Sequence, residues 1–354
     1  MIYISYGSNV VQNTYDTLAA SDIDQYLMPH MQVSLKPNLV VPCPASDGAT
    51  THPEVVEGVV RFLRDYGIRH IKIIESSWVG DCTKRAFEYC GYHELSQKFD
   101  IPLIDLKSDS FAYHHYDTYE IAVCDEAINT DFLINIPVLK AHCQTNLTCC
   151  LKNLKGCIPD SEKRRFHTLG IHQPVAMLNA VIKTGYCVVD GVCGDLSFEE
   201  GGNPVDSKRI IVGRSPLLID SYCAELIGYQ PHEVEYMSYA HQMGLGDLFS
   251  GASDLVEINP DSKPLVDLKR DRVADKYRRL IDEDAACSAC YSALIYALHR
   301  MEELPLITDR FHIGQGFKGK VVSGVGIGSC TKGFERCVPG CPPKATEIID
   351  MLRR

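Results

Sequence analysis

Three stretches set the register of the chain: Gln32-Val-Ser-Leu-Lys-Pro-Asn38, Thr50-Thr-His-Pro-Glu-Val-Val56 and Ile71-Lys-Ile-Ile-Glu75. Gln32–Leu35 and Ile71–Ile74 are short runs rich in branched aliphatic residues, the composition of buried strands. Between them, Thr51-His52-Pro53-Glu54 has the form of a capping box with a proline near the first helical position. Val55, Val56, Val59, Val60 and Leu63 then recur at helical spacing, and Gly67 supplies the stop. Strand, ordered loop, capped helix and second strand follow one another within about 40 residues, which is the length of a βαβ unit.

Working outward, further strands are predicted at Ile2–Ser5, Pro102–Asp105, Phe132–Ile136, Cys187–Asp190 and Ile210–Val212, alternating with helical patterns. The expected fold is α/β: a mostly parallel open sheet flanked by helices, with a small C-terminal cysteine-rich module that binds a cluster. Residues 1–253 form the α/β domain in this reading. Residues 254–284, with the charged run Lys269-Arg-Asp-Arg272, form a linking surface helix, and residues 285–354 form the module.

The chain has 354 residues, 45% hydrophobic and 23% charged, an ordinary globular mixture. With 35 Lys and Arg against 46 Asp and Glu the net charge is −11, which repels a phosphate backbone, so nucleic acid is not expected as a partner. No apolar run approaches the roughly 20 residues of a membrane span. The first residues, Met1–Gly7, read as a strand and not as a secretory leader. Sixteen cysteines in such a chain suggest reduced thiols in a cytoplasmic protein, some of them metal ligands. Cys82, Cys90, Cys124, Cys149, Cys150, Cys187 and Cys223 fall in apolar or helical contexts, where cysteine serves as a small buried hydrophobe.

The C-terminal thiols differ. Cys287-Ser-Ala-Cys290 opens a helical stretch running to Arg300, and Gly324-Val-Gly-Ile-Gly-Ser-Cys330 and Cys337-Val-Pro-Gly-Cys341-Pro-Pro follow. A 4Fe-4S cluster needs four converging thiolates, and glycines let backbone N–H groups approach its sulfides. Zinc also takes four thiolates, usually from two compact Cys-x-x-Cys knuckles, and the Cys-x6-Cys-x3-Cys half lacks that form. Cys287, Cys290, Cys330 and Cys341 are the expected ligands, with Cys337 as substitute. Gly314-Gln-Gly-Phe-Lys-Gly319 matches a dinucleotide fingerprint only as a string, because a strand or loop and no helix follows it.

A second group lies at the predicted strand ends: Lys36 and Asn38, Thr51, Glu75, then Lys140 and His142, Lys152 and Lys155, and Asp190. In an open parallel sheet these ends share one edge, where ligands bind. Lys36, Lys140, Lys152 and Lys155 with His142 are expected to form a cationic pocket for a carboxylate or phosphate, lined also by Asn38, Thr51 and Asp190. His142 or Glu75 would donate the proton.

At these residues the chain resembles the uncharacterised family called domain of unknown function 362. The resemblance rests on Lys36-Pro-Asn-Leu-Val40, Thr50 to Val56, Lys140-x-His142 with Thr145 and Thr148, Leu151-Lys-Asn-x-Lys-Gly156, and Asp190-Gly191, and it covers roughly Val33 to Gly228. The tail from Cys287 to Pro343 looks like the cluster-binding extension of family members from anaerobes. The resemblance implies an α/β core and iron–sulfur binding, and implies no particular reaction. Three functions fit the residues. The first is a redox enzyme passing single electrons from the cluster to an anionic small molecule. The second is an electron carrier or accessory protein working with a redox partner. The third is a non-redox ligase or hydratase in which Asp190 and Asp220 hold Mg2+.

Overall fold

The computed structural model describes residues 1–269, 272–301, 310–321 and 323–353. The chain divides into two units. The first comprises Met1–Ala141, Thr145–Lys163 and His172–Arg270; the second comprises His142–Gln144, Arg164–Ile171 and Asp271–Arg354.

An eight-stranded sheet forms the first unit, in the order Leu255–Glu257, Ile2–Tyr6, Pro204–Gly213, Tyr186–Asp195, Phe132–Ile136, Gln32–Pro37, His70–Glu75, Leu103–Asp105. The last five run parallel, and Pro204–Gly213 is antiparallel to both of its neighbours. Alternation divides the faces. Val33, Leu35, Ile71, Ile73, Phe132, Ile134 and Ile136 join one core with the buried stripe of helix Pro53–Tyr66. Ser34, Lys36 and Asn135 alternate with them and point to the other face. Strand order reverses between Gln32–Pro37 and Phe132–Ile136, so the switch point of the parallel section lies there.

The predicted βαβ unit is present, and Gly67 ends its helix at φ +103°. The capping box is not. His52 is the N-cap, and the Thr51 hydroxyl instead donates to the Ile136 carbonyl (2.8 Å) and accepts the Asn38 amide (2.9 Å). Tertiary partners outcompete the local cap.

The second unit contains four parallel strands of three residues each, Ile281–Glu283, Phe311–Ile313, Val325–Ile327 and Arg336–Val338, paired in chain order. Helix Ser288–Arg300 follows the first, and Ala345–Leu352 closes the described chain. The single linking helix expected over 254–284 does not form. Leu255–Glu257 pairs with Ile2–Ile4, Val273–Arg278 is a short helix, and Ile281–Glu283 begins the second sheet. Pro260 and Pro264 interrupt the segment. Arg270 and Asp271 of the charged run lie outside the described residues. Among the described residues no helix is long and apolar enough to cross a membrane.

Candidate functional site: strand ends and C-terminal thiols

In the first unit the parallel strands deliver Lys36, Glu75, Asn135 and Asp190 towards one edge. Lys36 is fully buried, and its ammonium donates to Glu75 Oε2 (2.7 Å) and to the Pro37 carbonyl (2.8 Å). Glu75 also accepts the amides of Leu39 and Ser76. Burial raises the Glu75 carboxyl above its usual range, against the pull of Lys36. Gly156 packs over this pair: a Cβ there would overlap the Glu75 carboxylate and come within 2.5 Å of Lys36 Nζ.

Asn153 bridges the switch point, donating to the Lys36 carbonyl (3.1 Å) and to Asn135 Oδ1 (2.8 Å). Lys140 is buried and donates to the carbonyls of Ala49 (2.6 Å) and Glu199 (2.8 Å), and burial lowers its pKa to about 8. Lys152 and Lys155 are half-buried, with Lys152 donating to Thr148. Thus two of the four expected lysines, Lys36 and Lys140, are internal ammonium groups held by the chain itself. His142 belongs to the second unit, where its Nδ1 accepts the Gln144 amide (3.1 Å). Among the described residues, the buried side-chain oxygen of Asn38 has no hydrogen-bond partner.

Two features of this edge escape the sequence reading. Asp190 accepts both the backbone amide of His52 (2.7 Å) and its ring Nδ1 (2.8 Å). Burial opposes charge on the ring, but Asp190 outweighs it and the His52 pKa is raised. Lys163 is likewise buried, donates to Ser76 and Ser77, and is lowered to about 8 by burial. Local sequence gives no sign that His52 faces a residue 138 positions away. Asp190 and Asp220, considered as a shared Mg2+ site, have separate partners: Asp220 accepts the amides of Cys150 (2.7 Å) and Leu151 (3.0 Å). A 540 Å³ cavity in this unit opens at the opposite, N-terminal ends of the strands, beside Phe132, Lys183 and Arg214.

In the second unit the parallel strands again place their C-terminal ends at one edge, and each runs into a loop carrying predicted ligands or their neighbours. Ile281–Glu283 leads to Cys287, Val325–Ile327 to Cys330, and Arg336–Val338 to Cys341. Phe311–Ile313 leads to Gln315, whose amide donates to Cys287 Sγ (3.8 Å). Burial pushes the Cys290 thiol up to about 12, reinforced by the charges of Cys287, Cys341 and Cys330 nearby. Cys287, Cys330 and Cys341 are therefore close enough to Cys290 for their charges to act on its thiol. Cys337 turns to Thr331 Oγ1 (3.6 Å) and the Gly328 carbonyl (3.7 Å). Gly328 has φ +93°, and a Cβ there would stand 3.4 Å from Cys290 Sγ. The fingerprint-like Gly314–Gly319 forms a loop with one turn of 3-10 helix, Gln315–Phe317.

A family model described as "Domain of unknown function (DUF362)" matches residues 33–225, more than half of the chain. The chain belongs to the DUF362 family. Within DUF362 similarity, a curated relative is the thylakoid-associated protein sll1697 of Synechocystis sp. (strain ATCC 27184 / PCC 6803 / Kazusa). It is 24% identical over 227 residues, covering 62% of this chain and 70% of the relative. Among solved structures, the lactate racemase apoprotein of Thermoanaerobacterium thermosaccharolyticum aligns with a TM-score of 0.45 and 9% identity, over 64% of this chain and 57% of that one. The DUF362 match includes Lys36, Glu75, Lys140 and Asp190 and ends well before Cys287.

Proposed function

We propose that this DUF362 protein binds one 4Fe-4S cluster through Cys287, Cys290, Cys330 and Cys341 and exchanges single electrons with a redox partner protein. The observation that carries this reading is the common edge of the four-strand parallel sheet, with Cys290 under the electrostatic influence of the other three thiols. The Cys-x6-Cys-x3-Cys half, set among glycine and proline, suits a cluster better than the paired Cys-x-x-Cys knuckles usual for zinc. Gly328 keeps side-chain atoms away from Cys290, and the Gln315 amide supplies an N–H directed at sulfur, both suited to a large anionic group. When bound, the cluster supplies one-electron chemistry.

The test is a cysteine series made and handled without oxygen. Cys287→Ser, Cys290→Ser, Cys330→Ser and Cys341→Ser are expected to lose the brown absorbance, and Cys337→Ser to keep most of it. Bleaching by Cys337→Ser alone would overturn the ligand assignment.

A second reading, an oxidoreductase acting on a carboxylate or phosphate, draws on the buried, partnerless Asn38 oxygen and the titratable groups at the strand ends. Calorimetry with acetate and with inorganic phosphate checks it. Binding weakened by Lys155→Ala supports an anion site at these ends, and no binding of either removes it.

A further inference from the structure

The first unit contains a second, wholly buried group of thiols far along the chain from the C-terminal set. Cys149, Cys150, Cys187 and Cys223 are all 0% exposed, and so is Asp220. Cys149 Sγ and Cys150 Sγ lie 3.9 Å apart. One carboxylate oxygen of Asp220 and these two sulfurs are all within 4.8 Å of one another. Cys223 lies beside Cys149, and Cys187 beside Cys150.

Packing alone accounts for cysteines in a core, since each thiol behaves as a small apolar group. It does not account for a carboxylate set among them. Asp220 gives one lone pair to each of two amides, Cys150 and Leu151, and an ionised carboxylate has about four such sites. Lone pairs therefore remain beside the sulfurs. The S···S separation of 3.9 Å is close to the roughly 3.8 Å between sulfurs on one tetrahedral zinc ion.

We propose that Cys149, Cys150, Cys223 and Asp220 hold a single closed zinc ion that ties the turn before Cys150–Asn153 to helix Pro216–Leu226. Loading releases the thiol protons, and the divalent ion answers the negative charge of the carboxylate and thiolates. With every ligand excluded from solvent, the site has the character of a structural ion and not of a catalytic one. This inference is independent of the C-terminal cluster.

Crystals of the full-length chain grown anaerobically with zinc test it by anomalous scattering at the zinc edge. A peak bonded to Cys149 Sγ, Cys150 Sγ and Asp220 is expected, and its absence from that position would overturn the proposal. In solution, the Cys287→Ser/Cys290→Ser chain dialysed against chelator should retain about one zinc ion, and adding Cys149→Ala should reduce this at least about tenfold. Cys223→Ala, which leaves the Asp220 amide contacts in place, serves where Cys149→Ala fails to fold. Unchanged zinc in either folded variant would contradict the assignment.

Discussion

Lys36 and Glu75 form a buried ion pair at the switch point, and its effect on stability depends on both partners remaining. Lys36→Met leaves a buried carboxylate without its cation and is expected to destabilise the first unit by about 3–5 kcal/mol in urea unfolding. Lys36→Met with Glu75→Leu should recover most of that loss, because an apolar pair of similar volume needs no compensation. His52 gives a pH signature. Its pKa is raised above the ordinary 6.5 in the folded state. Its contribution is therefore fully present below pH 6.5 and is lost as pH rises through the higher folded value. The stability difference between the natural chain and Asp190→Asn should shrink as pH rises from about 6 towards 9, read from urea midpoints. A constant difference would mean that Asp190 acts only through the His52 amide.

Local pattern foretold the strands well where side-chain period and β-branching coincide, as at Gln32–Pro37, His70–Glu75 and Phe132–Ile136. It misled at Thr51, whose hydroxyl is claimed by the Ile136 carbonyl from a distant strand. At Lys36 and Lys140, expected to line a cationic pocket, it gave no sign that their charges are answered by carbonyls and a carboxylate of the chain itself. Glycine and proline beside the C-terminal cysteines report backbone constraint directly, and the positive φ of Gly328 and Gly340 agrees with that reading. Among elements, the turn at Gly328 lies nearest the expected ligands. At φ +93° and ψ 164° its backbone lies where side-chain-bearing residues rarely go. Gly328→Ala is expected to cost about 1–3 kcal/mol in the second unit and to lower iron content with the fold otherwise retained, measured by circular dichroism and iron assay.

Cys149, Cys150 and Cys223 lie buried in the first unit, inside the family match, whereas Cys287, Cys290, Cys330 and Cys341 lie in the second unit, beyond it. The stabilities of the two units should respond to different ions. A ferrous chelator added to the anaerobic chain should lower the melting of the second unit and leave that of the first unchanged, seen as one shifted and one fixed calorimetric transition. The central claim is the cluster. Iron, acid-labile sulfide and zinc measured together in the anaerobically isolated full-length chain address it directly. The account predicts about four iron and four sulfide per chain. Colourless protein carrying zinc, with neither iron nor sulfide, would contradict it.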